Sequence, residues 1–312
     1  MIVRSRFLTG RRTYNMVYID IKHLTKDYKK GRGVFDISLE IEKGEVYGFV
    51  GVNGAGKTTT IRHMMGFIKP DEGSVTIQGL DATKSSAEVK RYVSYIPGEI
   101  NFPGNTSGEE FLKEQIYLSG RGSWVRAKEL SEQLQLDVTA NLHSMSKGMK
   151  QKTAIVSALA SDADILIMDE PTTGLDPLMR DVFIDLLKEE KEKGKTIFMS
   201  SHIFQEVEEV CDRVAVIQEG KIIEVVNMKN IRYNKNKEYR MEFKTEEDFK
   251  RFIGLGYQIS KVKAEDLQIF VQIHDEHINE LIQTLKDFDL VYFKEIKVHF
   301  EDYITEVFKE EK

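Results

Sequence analysis

The sequence predicts an α/β fold, a parallel sheet wrapped by helices, with a small α+β domain behind it. Three observations carry this expectation. From Met16 to about Val226, apolar runs of strand length alternate with helical stretches and glycine-rich turns. Among these runs, Asp164–Met168 and Thr196–Ser200 are almost unbroken, as strands covered on both faces must be. After Asn227 the order becomes strand, helix, strand, strand, helix, strand, the split arrangement that closes a small domain of its own.

Taken in order, residues 1–15 carry Arg4, Arg6, Arg11 and Arg12 but no apolar core segment. They read as a disordered lead-in or upstream-start extension rather than a secretory signal. Met16 opens a strand-like segment, and Glu45–Val50 is the next clear strand. A helical part follows at about 100–161, where Thr106 and Glu109 have capping-box spacing for a helix starting at Gly108. Asp176-Pro177 combines an N-cap with proline at the first helical position, and Gly194 is the stop. Arg213–Gln218 is the last strand of the first part. Residues 227–312 form the accessory domain, with strands at Lys237–Phe243, Tyr257–Val262, Gln268–Ile273 and Leu290–Val298. Its helices are expected at Glu246–Phe252, Glu276–Leu285 and Glu301–Lys309.

Composition narrows the function. With 45 Lys+Arg against 51 Asp+Glu the net charge is −6, which gives no electrostatic reason to expect a nucleic-acid partner. The single cysteine, Cys211, excludes an internal disulfide and fits a reducing compartment. No run approaches the ~18 apolar residues that cross a bilayer, so any membrane crossing falls to other chains.

Gly51-Val-Asn-Gly-Ala-Gly-Lys57-Thr58 matches G-x-x-x-x-G-K-[ST] in full, between a strand and a helical stretch. In such a loop the backbone of Asn53, Gly54, Ala55 and Gly56 curls so that its N–H groups point at a phosphate chain. The helix that begins with Lys57, Thr58 and Thr59 adds its positive end. Lys57 would neutralise the terminal phosphates and Thr58 would ligate Mg²⁺. The strand Ile165-Leu-Ile-Met-Asp169-Glu170 ends in two carboxylates. Asp169 suits holding Mg²⁺ through water, and Glu170 suits polarising an attacking water. Adjacent strand residues point opposite ways, so Glu170 must lie where the chain turns towards Pro171. Asn234-Lys-Asn-Lys lacks the aspartate of a guanine-reading motif, which excludes a G-protein.

Between these motifs, Met145-Ser146-Lys147-Gly148-Met149-Lys150-Gln151 resembles the L-S-G-G-Q signature of ABC transporter nucleotide-binding subunits. The resemblance covers about Tyr18 to Val226 and implies a P-loop NTPase cassette, residues 16–226, with a RecA-like parallel core and antiparallel β and helical subdomains. It implies head-to-tail pairing, in which Ser146 and Gly148 of one copy cap the γ-phosphate of ATP held by Lys57 of the other. Tyr28 lies where the family stacks an aromatic on adenine, though a lone tyrosine could equally be core. Gly174-Leu175-Asp176 is similar to the loop that crosses to the partner, and His202 resembles the switch histidine that helps hold the catalytic water.

One position departs from the family. Where its glutamine usually touches Mg²⁺ and the water, this chain has Gly98, leaving Glu99 or a water to fill the place. The resemblance implies an ATPase subunit at the inner, cytoplasmic face of a cell membrane. It would act as a homodimer or paired cassette on separate membrane-spanning permease subunits, most like multidrug or antibiotic exporters. A soluble ABC ATPase acting on ribosomes or DNA is the alternative, but the second cassette or long coiled coil of such proteins is missing here. His274 and His277, an i, i+3 pair, lack metal-site spacing and read as a solvated helix start.

Overall fold

The computed structural model describes residues 16–310 apart from 103, 105 and 298, and for 306–310 it describes the backbone alone. The lead-in expected at 1–15 lies outside the described residues. The chain divides into two compact units, which meet at Val226 and Asn227 in the sequence.

In the first unit a six-stranded sheet has the order Lys221–Asn227, Arg213–Gln218, Val46–Val50, Thr196–Ser201, Ile165–Asp169, Val93–Ile96. The last five of these run parallel. Val46–Val50 and Ile165–Asp169 are buried at every residue, which explains why they lack a two-residue period. A second, antiparallel sheet orders Gly33–Glu42, Val17–Asp27, Glu72–Ile77 and Leu80–Asp81. There Ile37, Leu39 and Ile41 alternate with exposed residues, so one face joins the core and the other meets water. The α/β cassette with its antiparallel and helical parts is therefore present. The strand Lys221–Asn227 was not foreseen, because Lys-Ile-Ile-Glu-Val-Val-Asn shows neither alternation nor a continuous apolar run.

The helical part comprises Gly108–Ser119, Trp124–Gln133 and Lys147–Ala160. The capping box lies one residue later than expected. Ser107 accepts from the Glu110 N–H at 3.2 Å, and the Glu110 carboxylate accepts from the Ser107 N–H at 3.1 Å. Thr106 instead donates its hydroxyl to Glu110 at 2.8 Å. Asp176 caps Pro177–Glu192 by accepting from the Met179 N–H at 3.0 Å.

In the second unit an antiparallel sheet orders Gln258–Lys263, Gln268–His274, Asn236–Phe243, Leu290–Ile296. Neighbouring strands are antiparallel throughout, as the split β-α-β-β-α-β order requires. Tyr239, Met241, Phe243, Ile269, Val271 and Ile273 line one sheet face and share a core with Phe249, Phe252 and Leu281 of the two helices. The helix expected from Glu276 starts at Ile278, preceded by a 3₁₀ turn at Asp275–His277.

Candidate functional site

The site forms at the carboxyl ends of the parallel strands, where open α/β sheets bind ligands. After Val50 the chain turns through Gly51 to Gly56 into the helix Lys57–Met64. Gly54 (φ 85°) and Gly56 (φ 115°) lie in the left-handed region that side chains avoid. Gly51 is needed for space, since a Cβ there would lie 2.3 Å from the Ile217 carbonyl oxygen. Gly51→Ala is therefore expected to destabilise the first unit by about 3 kcal/mol, the upper range for overpacking, because backbone cannot yield. A thermal melt that moved by less than a degree would contradict it.

One pocket of about 690 Å³ is lined by Tyr28, Asn53, Gly54, Gly56, Lys57, Thr58, Thr59 and Glu170. Ala55 instead packs in the core, 3% exposed. Tyr28 is half-exposed at the rim and is not a core residue. Arg32, Arg62 and Glu219 also line the pocket, and sequence reasoning missed them. The basic glycine turn Lys29-Lys30-Gly31-Arg32-Gly33, directly after Tyr28, was the available signal for Arg32.

Lys57 is buried, and its ammonium donates to the carbonyls of Gly51 at 2.6 Å and Val52 at 3.2 Å. It also pairs with Glu170 Oε1 at 3.2 Å. The other carboxylate oxygen of Glu170 meets His202 Nδ1 at 3.2 Å and the Thr173 hydroxyl at 3.4 Å. Lys57, Glu170 and His202 thus form one chain of contacts. The strand ends at Asp169, and Glu170 takes φ 49°, so the two carboxylates diverge as the chain turns. Ser200 holds both residues: its hydroxyl donates to Asp169 Oδ1 at 2.7 Å and accepts from the Glu170 N–H at 3.0 Å.

Asp169 is buried, and its Oδ2 has no hydrogen-bond partner among the described residues. A Cβ at Gly98 would lie 3.2 Å from that oxygen, so the glycine leaves it open on one side. Glu99 is exposed. Burial, and secondarily the Asp169 carboxylate, pushes the neighbouring Tyr95 phenol up to about 12. The buried carboxylate oxygen without a donor, and the exposed Thr58 hydroxyl on the pocket wall, are each oxygen donors of the kind a hard divalent cation takes, although Asp169 is not itself among the residues lining the pocket.

Ser146, Gly148 and Asp176 do not line this pocket. Ser146 caps Lys147–Ala160 by accepting from the Met149 N–H at 3.2 Å, is exposed, and keeps its own proton to donate outward. Gly148 lies against the next loop, where a Cβ would approach the Gly174 carbonyl to 3.0 Å. From the same helix the buried Gln151 donates to the Pro171 carbonyl at 2.6 Å, which ties the signature helix to the turn after Glu170. Among the described residues no group of three or more His, Cys, Asp and Glu could hold a metal. No described helix is long and apolar enough to cross a membrane.

A parallel sheet whose central strand opens into a phosphate loop, with a strand tipped by two carboxylates one strand further across, defines a P-loop nucleoside triphosphatase. The ABC transporter family matches residues 34–173. The ABC transporter ATP-binding protein NatA of Bacillus subtilis (strain 168) is 39% identical over 211 residues, 65% of this chain and 86% of NatA. The bacitracin transport ATP-binding protein BcrA of Bacillus licheniformis is 36% identical over 236 residues, 74% of this chain and 76% of BcrA. A solved ATP-binding subunit of an ABC transporter superposes with a TM-score of 0.63 at 29% identity, covering 70% of this chain and 92% of that one. The chain belongs to the ABC transporter family as an ATP-binding subunit, and as such it is an ATPase. The soluble ribosome- or DNA-acting alternative is not favoured, since these relatives are transporter subunits.

Proposed function

We propose that two copies of this subunit, or one copy and a second cassette, close around two ATP molecules. Their closing stroke would drive export through separate membrane-spanning subunits at the cytoplasmic face of the membrane. The carrying observation is that the outward-facing helix start at Ser146 and Gly148 lies outside the pocket lined by Lys57. A second anion-binding helix start has no use for its own pocket, but it completes the pocket of a partner turned head to tail. The likeness to a bacitracin transport subunit and the small α+β domain after the cassette support the export reading.

Within each site, Tyr28 would stack on adenine while the loop from Asn53 to Gly56 donates N–H groups to the phosphates. Thr58, and Asp169 through water, would hold Mg²⁺, which when bound neutralises charge on the β- and γ-phosphates. Lys57 places its positive charge against the same oxygens. Glu170 accepts a proton from the attacking water as its oxygen bonds to γ-phosphorus and the bond to the β–γ bridging oxygen breaks. His202, already against Glu170 Oε2, keeps that carboxylate aimed and holds the water. Asp176, beyond its capping role, would reach the partner copy.

Mixing two inactive variants tests the composite site. Lys57→Ala spoils the phosphate loop and Ser146→Arg spoils the signature, so a mixed pair keeps one intact site while either pure pair keeps none. An equal mixture should regain about a quarter of parental turnover, because half of random pairs are mixed and each holds one good site of two. A mixture as inactive as its components would refute the pairing.

A further inference from the structure

We propose that Glu206 is a positioning residue that fastens the turn carrying Glu170 to the loop carrying His202, an assignment that rests on the roles given to those two residues above. Glu206 lies on the short helix Phe204–Val210, whose buried side consists of Glu206, Val207 and Val210. A carboxyl group taken out of water is destabilising unless partners compensate. Its partners here are specific. The Thr172 hydroxyl donates to Glu206 Oε2 at 2.9 Å, and the Ser201 hydroxyl donates to the same oxygen at 3.2 Å. Thr172 follows Glu170 by two residues, and Ser201 directly precedes His202. All three side chains are buried.

Each donor is also built into the loop it represents. Ser201 Oγ accepts from the Ile203 N–H at 2.9 Å, which folds the chain around His202. The Thr172 carbonyl accepts from the Leu175 N–H at 3.0 Å, and the Thr173 N–H closes on the Glu170 carbonyl at 3.1 Å. Glu206 Oε1 has no hydrogen-bond partner among the described residues, so the carboxyl acts through one oxygen that both loops share. Displacing either loop is therefore felt by the other. Burial raises the carboxyl above the ordinary range, against the two hydroxyl donors and the nearby charges of Arg180 and His202. A glutamine can present its amide oxygen in the place of Oε2 and accept from the same two hydroxyls.

The test compares Glu206→Ala, Glu206→Gln and Thr172→Val in the full chain, by steady-state ATP hydrolysis and by titration with a fluorescent ATP analogue. Glu206→Ala should lower kcat about 10- to 100-fold, the scale of a misplaced catalytic group, with KM and analogue affinity within about threefold. Glu206→Gln should keep at least about a third of kcat, because its carbonyl still accepts from both hydroxyls. Thr172→Val added to Glu206→Ala should cost no more than Glu206→Ala alone, because both remove one connection. Unchanged kcat in Glu206→Ala overturns the assignment, and so does a loss that Gln does not rescue. Should Glu206→Ala not fold, Thr172→Val alone decides: lower kcat at constant affinity supports the fastening, and parental kcat overturns it. If Glu170→Gln hydrolyses ATP at the parental rate, the underlying roles fail instead.

Discussion

Glu170→Gln is expected to bind MgATP, to lose turnover by about 10²- to 10⁴-fold, the range for a positioned general base, and to accumulate as pairs of copies. Glutamine preserves the size of the side chain and can still accept from Lys57, so the pocket keeps its shape. Its amide cannot take a proton from water at any accessible pH, so the step that separates the copies is blocked after they close. Phosphate release measures the first effect, and light scattering in saturating MgATP measures the second. A variant that stayed monomeric there would remove the basis for a shared site, and parental turnover would remove Glu170 as the base.

Lys57→Met should weaken ATP binding about 10- to 100-fold, the equivalent of one charge-assisted hydrogen bond worth ~1.5–3 kcal/mol, and abolish detectable turnover. The ammonium has three donors and spends them on the Gly51 carbonyl, the Val52 carbonyl and Glu170. Removing it deletes the brace of the phosphate loop and the ammonium that meets one oxygen of the Glu170 carboxylate. Methionine fills the same buried volume, which separates loss of charge from loss of packing. Titration with a fluorescent ATP analogue checks the prediction, and an affinity within twofold of the parent would refute it.

Much of the fold was legible because its central strands are apolar along their whole length, which only two covered faces can explain. Lys221–Asn227 was not, since a half-covered strand interrupted by Glu224 carries no period. The capping box slipped by one residue because Thr106 and Ser107 both carry a hydroxyl oxygen that can accept from a helix N–H, and Glu109 and Glu110 are both acids. The sequence offers two equal registers, and only the backbone chooses between them. At the candidate site the phosphate loop and the acidic strand tip could be read directly, because glycine geometry and strand ends leave local marks. Arg32 left only the basic glycine turn as a signal, because it reaches the pocket from a separate segment, and Arg62, on the helix after the loop, looks there like any surface arginine. Glu206 was hidden in the acidic run Gln205-Glu206-Val207-Glu208-Glu209, where a charge reads as solvent-facing. Its spacing to Val207 and Val210 was the signal that it shares their buried side.

The left-handed backbone at Glu170 has a consequence for the evolution and engineering of the protein. An L-residue other than asparagine or aspartate held there gives up roughly 1 kcal/mol of folding free energy. Glycine would relax that torsion, but it would also take away the carboxylate that pairs with the buried Lys57 and leave a chain with no hydrolytic power. The strain at this torsion angle is thus tied to the residue that both balances the buried ammonium and serves turnover, and a stabilised library would need activity screened alongside melting temperature.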